Sequence, residues 1–412
     1  MPKQHSPTLS AKGRKPRLGY RLLSYGMLLL LIFGPWIAWE TDRNQVRRWL
    51  YPAKGQIAAW STQCDVSAPS WLRTTIQTLA KQYDSPANQL VFVNASGQMA
   101  ACVNGWQDTP FFSPRVNHDT PLRLASLSKI VSFMGLVHKN TEIHPETYPD
   151  WLNEKLVDIF DMQGGTVADE RVRDIRIRHL LNHTAGFDRL RSVDPMTELD
   201  KQPWCPTQWP MLAHVQLDFT PGTRYAYANL SYCLAAVAYE KRFGRSLWDV
   251  LAQDMQFNRY GLNYLENTDT PVHYNFMHQP FFDEGYTNHF DWHALRAPMG
   301  MTGNAQGLAR FIYDNRNLIT VARAMHNTDS VPCEEMRNEA CFDGFLERRV
   351  VNGTRLWRQR GYLYGMAATF MTDQAGNFVV WLGAGESRPI LAAHDHIEQE
   401  LLQALNTNEA MK

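Results

Sequence analysis

A strongly apolar stretch of the chain lies near its N-terminus, at residues 22–39. It follows a tail, residues 1–21, that carries six cationic residues and no acidic one. Eighteen residues are at the short end of what a bilayer span requires. A cleaved signal peptide gives a similar pattern, but Pro35, Trp36 and Trp39 stand where small cleavage-site residues would be needed. We therefore predict an uncleaved transmembrane anchor with a cytoplasmic tail, which places the rest of the chain on the extracytoplasmic, periplasmic side.

Downstream of the anchor, the hydrophobic pattern predicts a linker at residues 40–68 and a folded domain at residues 69–412. Helical spacing of apolar residues predicts a helix over Ser70–Tyr83. Two short apolar runs, residues 90–93 and 99–103, flank the turn-forming sequence Asn94-Ala-Ser-Gly-Gln98. The domain is therefore expected to begin with a helix followed by a β-hairpin.

The same periodicities predict the elements of the remaining chain. They are a short helix within residues 173–187 that Gly186 ends, a helix reaching Phe243, a Gly-rich loop that feeds a helix at 297–311, strands at 356–369 and 377–383, and a closing amphipathic helix at 390–405.

Composition narrows the range of functions. Lysine plus arginine (41) equals aspartate plus glutamate (41), so no overall charge attracts nucleic acid. The hydrophobic fraction of 44% in 412 residues allows a large core. No cofactor-binding pattern stands out, and the sequence carries no signal for an oligomeric state.

The six cysteines form no CxxC pair and no metal-ligand spacing, so the compartment decides whether they form disulfides. Six cysteines allow fifteen complete pairings. Cys333 and Cys341 close a short loop, and we favour them as a local bridge. For the other four cysteines we predict the pairs Cys64–Cys102 and Cys205–Cys233, although no pattern in the sequence specifically indicates them.

The candidate chemistry is centred on Ser126-Leu-Ser-Lys129, within a run of apolar residues that predicts a buried helix at about 126–140. Residues three apart share a helix face, so the Ser126 hydroxyl and the Lys129 amine can meet there. A serine hydroxyl needs a nearby base to become a nucleophile, and burial can lower the pKa of a lysine enough for it to serve.

With this stretch as the first motif, the chain resembles the serine β-lactamase and penicillin-recognising superfamily over residues 70–405. The closer branch is the class C β-lactamase, D-alanine carboxypeptidase and esterase group. The matching stretches occur in the family's order and comprise Ser126–Lys129, His183-Thr-Ala-Gly186, Pro221-Gly222, Tyr227-Ala-Asn229, Pro298-Met-Gly-Met301 and Leu308-Ala-Arg-Phe311. The resemblance implies an α/β fold, an antiparallel sheet with the terminal helices on one face and an all-helical subdomain on the other.

The resemblance also implies roles. Ser126 would be the nucleophile, with Lys129 and Tyr227 as its partner bases; which of the two is the resting base stays open. Asn229 would hold the substrate amide and Lys129. The backbone N–H groups of Ser126 and Tyr362 would form the oxyanion hole. The reaction would be cleavage of an ester or a peptide-like amide of a small acyl substrate, through an acyl-enzyme.

The third family motif is altered. The family carries Lys-Thr-Gly or His-x-Gly on a strand lining the pocket, whereas the best match here is Gln359-Arg360-Gly361. Because strand positions alternate between faces, Gln359 and Gly361 should face the site and Arg360 should point away. A bulge in the strand would instead turn Arg360 inward and restore the positive charge. The lost cation predicts poor turnover of penicillins relative to neutral esters. It also favours an alternative function, a weakly active or inactive homologue that binds cell-wall or peptide ligands.

Two histidine patterns receive structural interpretations. His183 is expected to hold the turn of its loop. His289 and His293, four residues apart in the aromatic-rich segment 265–296, lack the further ligands of a zinc signature. We therefore predict no metal site, and we expect this segment to fold over the pocket and narrow it.

Overall fold

The computed structural model describes residues 18–143, 150–199, 201–266, 270–274, 286–325, 341–351, 353–385 and 392–407. The chain divides into two compact units, Met1–Leu50 and Tyr51–Lys412. The larger unit contains every predicted site residue.

The larger unit begins with the end of a long helix and contains both strands and helices. The strands are β1 (Gln63–Cys64), β2 (Ala87–Val93), β3 (Met99–Gly105), β4 (Leu122–Arg123), β5 (Asn263–Tyr264), β6 (Met301–Gly303), β7 (Cys341–Asp343), β8 (Leu346–Val351), β9 (Thr354–Leu363), β10 (Met366–Asp373) and β11 (Phe378–Ala384). The helices are α1 (Leu18–Trp60), α2 (Ser70–Gln82), α3 (Ser128–Ile143), α4 (Leu156–Ile159), α5 (Ile177–Leu181), α6 (Asn229–Phe243), α7 (Leu247–Asp249), α8 (Ala305–Asp314), α9 (Asn317–Ala324) and α10 (Ala392–Asn406).

Eight strands form one antiparallel sheet in the order β1-β3-β2-β11-β10-β9-β8-β7. One face carries α2 and α10, whose buried Leu72, Ile76 and Ile397 pack with side chains of the central strands. The other face contributes to the larger core, which also includes buried residues of α3, α6 and α8. The α/β architecture implied by the sequence is thus confirmed.

A second sheet has three short strands in the order β4-β6-β5, and its strand β4 directly precedes the segment that contains Ser126. Leu124 continues this pairing by donating its N–H to the Met301 carbonyl over 2.9 Å. The nucleophile segment therefore starts from a fixed backbone position directly after β4.

Most of residues 40–68, the predicted linker, is helical. Helix α1 continues to Trp60, and its last turns belong to the larger unit. The Tyr51 hydroxyl donates to the carbonyl of Ala80, and Ala58 and Ala59 are buried with Ala80. These apolar contacts with α2 explain why residues 51–60 fold with the domain.

Two further boundaries differ from the sequence prediction. The stretch 356–369, expected as one strand, contains parts of two, β9 and β10, because the chain turns at Gly365 with φ of +82°. The short helix α5 ends at Leu181, well before Gly186. Gly186 has φ of +102°, and a Cβ there would lie 2.7 Å from the Phe219 carbonyl oxygen, so it serves a close backbone approach instead.

The cysteine pairs Cys64–Cys102 and Cys205–Cys233 are present as disulfides, as predicted. The first joins β1 to β3, and the second joins the loop before α6 to α6 itself. Cys341 is also disulfide-bonded, whereas Cys333 lies outside the described residues. The predicted Cys333–Cys341 bridge therefore stays a prediction.

The smaller unit is helical from Leu18 and has a break at Asp42, whose φ and ψ are −154° and 83°. Within it, Leu23–Arg43 is long and apolar enough to cross a membrane, and the large apolar side chains from Leu23 to Trp39 are exposed. This helix is a candidate membrane anchor or signal sequence. Residues 1–17 of the predicted basic tail lie outside the described part of the chain.

Candidate active site

The predicted nucleophile lies on a short 3-10 turn, Ala125–Leu127, directly before α3. Ala125 has φ of +46°, an unusual backbone conformation for a residue other than glycine. Ser126 is partly exposed, whereas Lys129, in the first turn of α3, is completely buried. The turn thus presents a hydroxyl to the surface and an amine to the interior.

Tyr227 approaches Ser126 from the other side of the site. It stands two residues before the start of α6, and its hydroxyl donates to Ser126 Oγ over 2.7 Å. Burial raises the pKa of Tyr227 to about 12, although the nearby Arg189 and the hydrogen bond with Ser126 act in the opposite direction. Tyr227 therefore holds its proton at neutral pH.

Lys129 is bound by two acceptors. Its amine donates to Asn229 Oδ1 and to the Pro298 carbonyl, each over 2.8 Å. Burial holds the pKa of Lys129 well below its usual value, with Asp194 opposing and Arg189 reinforcing the shift. The interior thus favours the neutral amine, which has two N–H donors and one lone pair.

Strand β9 borders the site and packs against the turn that carries Ser126. Gln359 donates from its side-chain amide to the Ser126 carbonyl over 3.0 Å and also forms a hydrogen bond with Tyr227. A Cβ on Gly361 would lie 2.8 Å from the Leu124 carbonyl oxygen, so only glycine lets the strand approach the nucleophile turn this closely.

Arg360 points to the opposite face of the sheet. Its guanidinium pairs with Glu347 over 3.0 Å. Its neighbour Arg358 pairs with Glu347 and, on α10, with Glu398 and Asp395. The cation that the third motif lacks at Gln359 is therefore not restored by Arg360.

The structure brings together six of the seven predicted site residues through recorded contacts or close approach, namely Ser126, Lys129, Tyr227, Asn229, Gln359 and Gly361. Tyr362 follows Gly361 on β9 and is partly exposed; its ring contacts Tyr364 at a centroid distance of 5.7 Å. Its place on the strand next to the nucleophile turn is compatible with the backbone role expected for it.

Two charged residues of the site were not identified from the sequence. Asp194 accepts the backbone N–H of Asn229 at 2.7 Å, and Arg189 lies with its guanidinium carbon 4.5 Å from the centroid of the Tyr227 ring. Both fall in the segment after Gly186, which has no periodic pattern. The only sequence signal that could have indicated these two residues was a cluster of charged residues shortly after the His183–Gly186 motif.

His183 packs against Tyr227 and helps to hold it in place. It is buried with φ of +57°, stacks on the Tyr227 ring at 4.5 Å, and accepts the backbone N–H of Ala228 at 3.3 Å. Burial lowers its pKa well below the usual value, so it is neutral. These contacts agree with the structural role expected for it.

Comparison with known proteins decides the family. The beta-lactamase family model matches residues 72–332, more than half of the chain. The chain belongs to the beta-lactamase family. The match ends before β9, so the altered third motif of this beta-lactamase family member lies outside the matched residues.

The chain is also similar to curated relatives and to solved structures. The "Probable fimbrial assembly protein FimD, serogroup H1" of Dichelobacter nodosus is 29% identical over 346 residues, covering 83% of this chain and 85% of that protein. A beta-lactamase/D-alanine carboxypeptidase from Yersinia pestis aligns with a TM-score of 0.59 at 14% identity, covering 85% of this chain and 98% of that one. A D-amino acid amidase from Ochrobactrum anthropi gives 0.57 at 15% identity, covering 82% and 98%. At these identities the two structures establish the shared fold.

The histidine-bearing segment of this family member is only partly described, since residues 267–269 and 275–285 lie outside the described ranges. His289 and His293 line a surface pocket of about 630 Å³ together with Lys201, Glu266 and Arg296. Among the described residues, no group of three or more His, Cys, Asp or Glu side chains is arranged to hold a metal ion.

Proposed function

We propose that this protein is a membrane-anchored, extracytoplasmic serine hydrolase that cleaves an ester or a peptide-like amide through an acyl-enzyme on Ser126. The observation that carries the proposal is the 2.7 Å contact between the Tyr227 and Ser126 hydroxyls, with the buried Lys129 amine 4.7 Å from the centroid of the same Tyr227 ring. A serine that contacts a proton donor and lies near a neutral amine has the arrangement that nucleophilic catalysis requires.

The two pKa directions suggest how the proton moves. Because Tyr227 is protonated and Lys129 is biased toward the neutral form, the lysine is the better resting base. Lys129 would take the Ser126 proton as Oγ attacks the substrate carbonyl. Tyr227 would then donate its proton to the leaving group and recover one through Lys129. A water molecule would hydrolyse the acyl-enzyme with the same groups.

Two further groups would stabilise the substrate. The N–H groups of Ser126 and Tyr362 would bind the oxyanion, and such a donor typically lowers the barrier by about 3–4 kcal/mol. Asn229 uses its side-chain oxygen for Lys129. Its amide nitrogen has no recorded partner among the described residues, so it can donate to a carbonyl of the substrate.

The membrane part of the proposal rests on the N-terminal segment. Leu23–Arg43 can span a bilayer by length and composition, and the six cationic residues at its N-terminal side favour a cytoplasmic tail. Disulfides at Cys64–Cys102 and Cys205–Cys233 are compatible with an oxidising compartment. A fluorescent protein that fails to mature after export, fused after Lys412, should stay dark; bright cells would contradict this orientation.

A second candidate is a weakly active or inactive homologue that binds cell-wall or peptide ligands. It is favoured by Gln359, which carries no charge and whose amide already binds the Ser126 carbonyl. The Dichelobacter nodosus relatives are named as fimbrial assembly proteins, so a role in fimbrial assembly that needs no acyl transfer fits this candidate.

Ester hydrolysis separates the two candidates. Wild type should hydrolyse p-nitrophenyl acetate, and Ser126→Ala should not, while its thermal unfolding stays close to that of wild type because the change removes one oxygen. If wild type and Ser126→Ala are equally inactive toward esters and amides but bind peptidoglycan fragments equally well, the second candidate is correct.

A further inference from the structure

One cation faces solvent beside the nucleophile. Arg189 is exposed, and its guanidinium carbon lies 4.5 Å from the centroid of the Tyr227 ring. The hydroxyl of the same ring contacts Ser126 at 2.7 Å. Only one aromatic ring therefore separates this positive charge from the hydroxyl proposed to attack the substrate.

The acidic residues next to Arg189 are bound to other groups. Asp188 pairs with Arg224 and lies 3.7 Å from Arg191. Asp194 accepts the backbone N–H of Asn229 at 2.7 Å. For Arg189 itself, the described part of the chain shows no ion pair with a carboxylate. Its charge at the mouth of the site is therefore not neutralised by a direct partner.

On the β9 side of the site, the described residues place no unpaired cation next to Ser126. Gln359 occupies the position on β9 that faces Ser126, and Arg360 is paired with Glu347 on the other face of the sheet. Lys129 is buried and biased toward its neutral form. Arg189 is therefore the group best placed, among the described residues around Ser126, to attract an anion from solvent.

We infer that Arg189 is a specificity-determining residue that binds an anionic group, most simply a carboxylate, in the part of the substrate lying over Tyr227. This inference rests on the proposed acyl transfer at Ser126. A guanidinium suits the role because its planar N–H groups bind both oxygens of a carboxylate at once. The favoured substrates would then be esters or amides that carry a carboxylate on this side, next to the segment between α5 and α6.

A different role for Arg189 makes a different prediction. If its charge served only to tune Lys129 and Tyr227, removing it would change the reaction of neutral and anionic substrates by the same factor and would shift the pH profile. Carboxylate binding instead changes the ratio between the two substrates. The ratio is therefore the quantity to measure.

The experiment uses two matched pairs of esters. In one pair the carboxylate is on the leaving group, phenyl acetate against 3-carboxyphenyl acetate. In the other it is on the acyl group, p-nitrophenyl 4-methylbenzoate against p-nitrophenyl 4-carboxybenzoate. Acylation rates are measured for wild type, Arg189→Gln, Arg189→Lys and the matched control Arg191→Gln, which removes the same charge from an exposed residue of the same loop.

In at least one pair, Arg189→Gln should lower the ratio of the acylation rate of the anionic ester to that of the neutral ester about tenfold. Hydrogen bonds between charged groups are among the stronger ones, but exposure of Arg189 to solvent weakens this one. Arg189→Lys should retain part of the preference, and Arg191→Gln should leave the ratio as in wild type. The preference should also weaken as salt concentration rises.

An unchanged ratio in both pairs for Arg189→Gln would overturn the inference while leaving the proposed function intact. An equal drop for Arg191→Gln would also overturn it, because the effect would then come from the charge of the whole loop. If none of the four esters acylates Ser126 in wild type, the proposed function itself fails, and this inference fails with it.

Discussion

The amine of Lys129 donates to the side-chain oxygen of Asn229 over 2.8 Å, in a completely buried position. The Pro298 carbonyl accepts its second hydrogen bond. Two acceptors match the two N–H donors of a neutral amine and leave its lone pair for a proton. A buried lysinium would instead have three donors to satisfy and an uncompensated charge, which the interior disfavours.

Replacing Lys129 with methionine tests this arrangement. Lys129→Met keeps an unbranched side chain in the buried position but removes the base. Acylation by a p-nitrophenyl ester should fall on the order of 10²–10⁴-fold, the usual contribution of a positioned acid or base. The released nitrophenol is measured by rapid mixing. An acylation rate within a few-fold of wild type would show that Lys129 is not the base.

The lowered pKa of Lys129 sets the sign of two pH dependences. Acylation in wild type should rise as pH rises through the pKa of Lys129, which lies well below 10.5, and this limb should vanish in Lys129→Met. For stability, a depressed lysine pKa costs free energy below the folded-state pKa, and the cost disappears as pH approaches the unfolded value. The stability of Lys129→Met relative to wild type, from denaturant unfolding, should therefore decrease with rising pH. A difference that is constant with pH would contradict the assigned shift.

Tyr227→Phe tests the proton donor to the leaving group. The ring contacts with His183, Lys129 and Arg189 do not involve the hydroxyl, so the variant should fold. Because p-nitrophenolate leaves without a proton, its release should suffer little, whereas an alkyl ester or an anilide should suffer on the order of 10²-fold or more. Equal losses for both substrate types, measured as kcat/KM, would argue against this role.

Much of this molecule could be predicted from its sequence, because the relevant signals are local. The β2–β3 hairpin, α2, α10 and the end of α6 follow from periodicity and turn residues. The Ser126–Lys129 and Tyr227–Asn229 motifs are also visible in the sequence, and in the structure Tyr227 contacts Ser126 while Lys129 contacts Asn229.

The missed features depend on contacts between distant segments. Residues 51–60 are helical because they pack on α2, which no local pattern shows. Strand β10 is wholly buried and β9 is buried at six of its ten residues, so neither shows a regular alternation, and only Gly365 marked the turn between them. The roles of Asp194 and Arg189 follow from their distances to Asn229 and Tyr227, and an aperiodic loop gives no sign of those distances.

Gly361→Ala tests the approach of β9 to the nucleophile turn. The added methyl would lie 2.8 Å from the Leu124 carbonyl oxygen and 3.4 Å from Ala125 Cβ, so the strand or the turn must shift. Because Ser126 lies on this turn, we expect acylation to fall at least about tenfold, since small displacements of a reacting group are costly. Gly353 lies in the exposed turn between β8 and β9, where an added Cβ meets nothing within 4 Å but the φ of +79° is strained for alanine, so Gly353→Ala provides a control for general destabilisation. Wild-type acylation in Gly361→Ala would contradict the tight packing.

Gln359→Lys tests the altered third motif. A cation at this position should help a substrate whose carboxylate lies next to β9, as the resemblance implies for penicillins. A hydrogen bond to a charged group typically contributes ~1.5–3 kcal/mol, so the rate of penicillin hydrolysis relative to p-nitrophenyl ester hydrolysis should rise about tenfold or more. Arg360→Ala should leave this ratio unchanged because Arg360 is paired with Glu347. Efficient penicillin hydrolysis by wild type that Arg360→Ala abolishes would mean that Arg360 binds the carboxylate.

The most direct test of the central claim is the intact mass of the protein after reaction with a fluorophosphonate probe. Wild type should gain one adduct, and Ser126→Ala should gain none. The matched control Ser128→Ala should still be labelled, because the Ser128 hydroxyl is buried and accepts the backbone N–H of Met301 over 3.2 Å. Labelling of Ser126→Ala at the wild-type rate would contradict the assignment of Ser126 as the nucleophile.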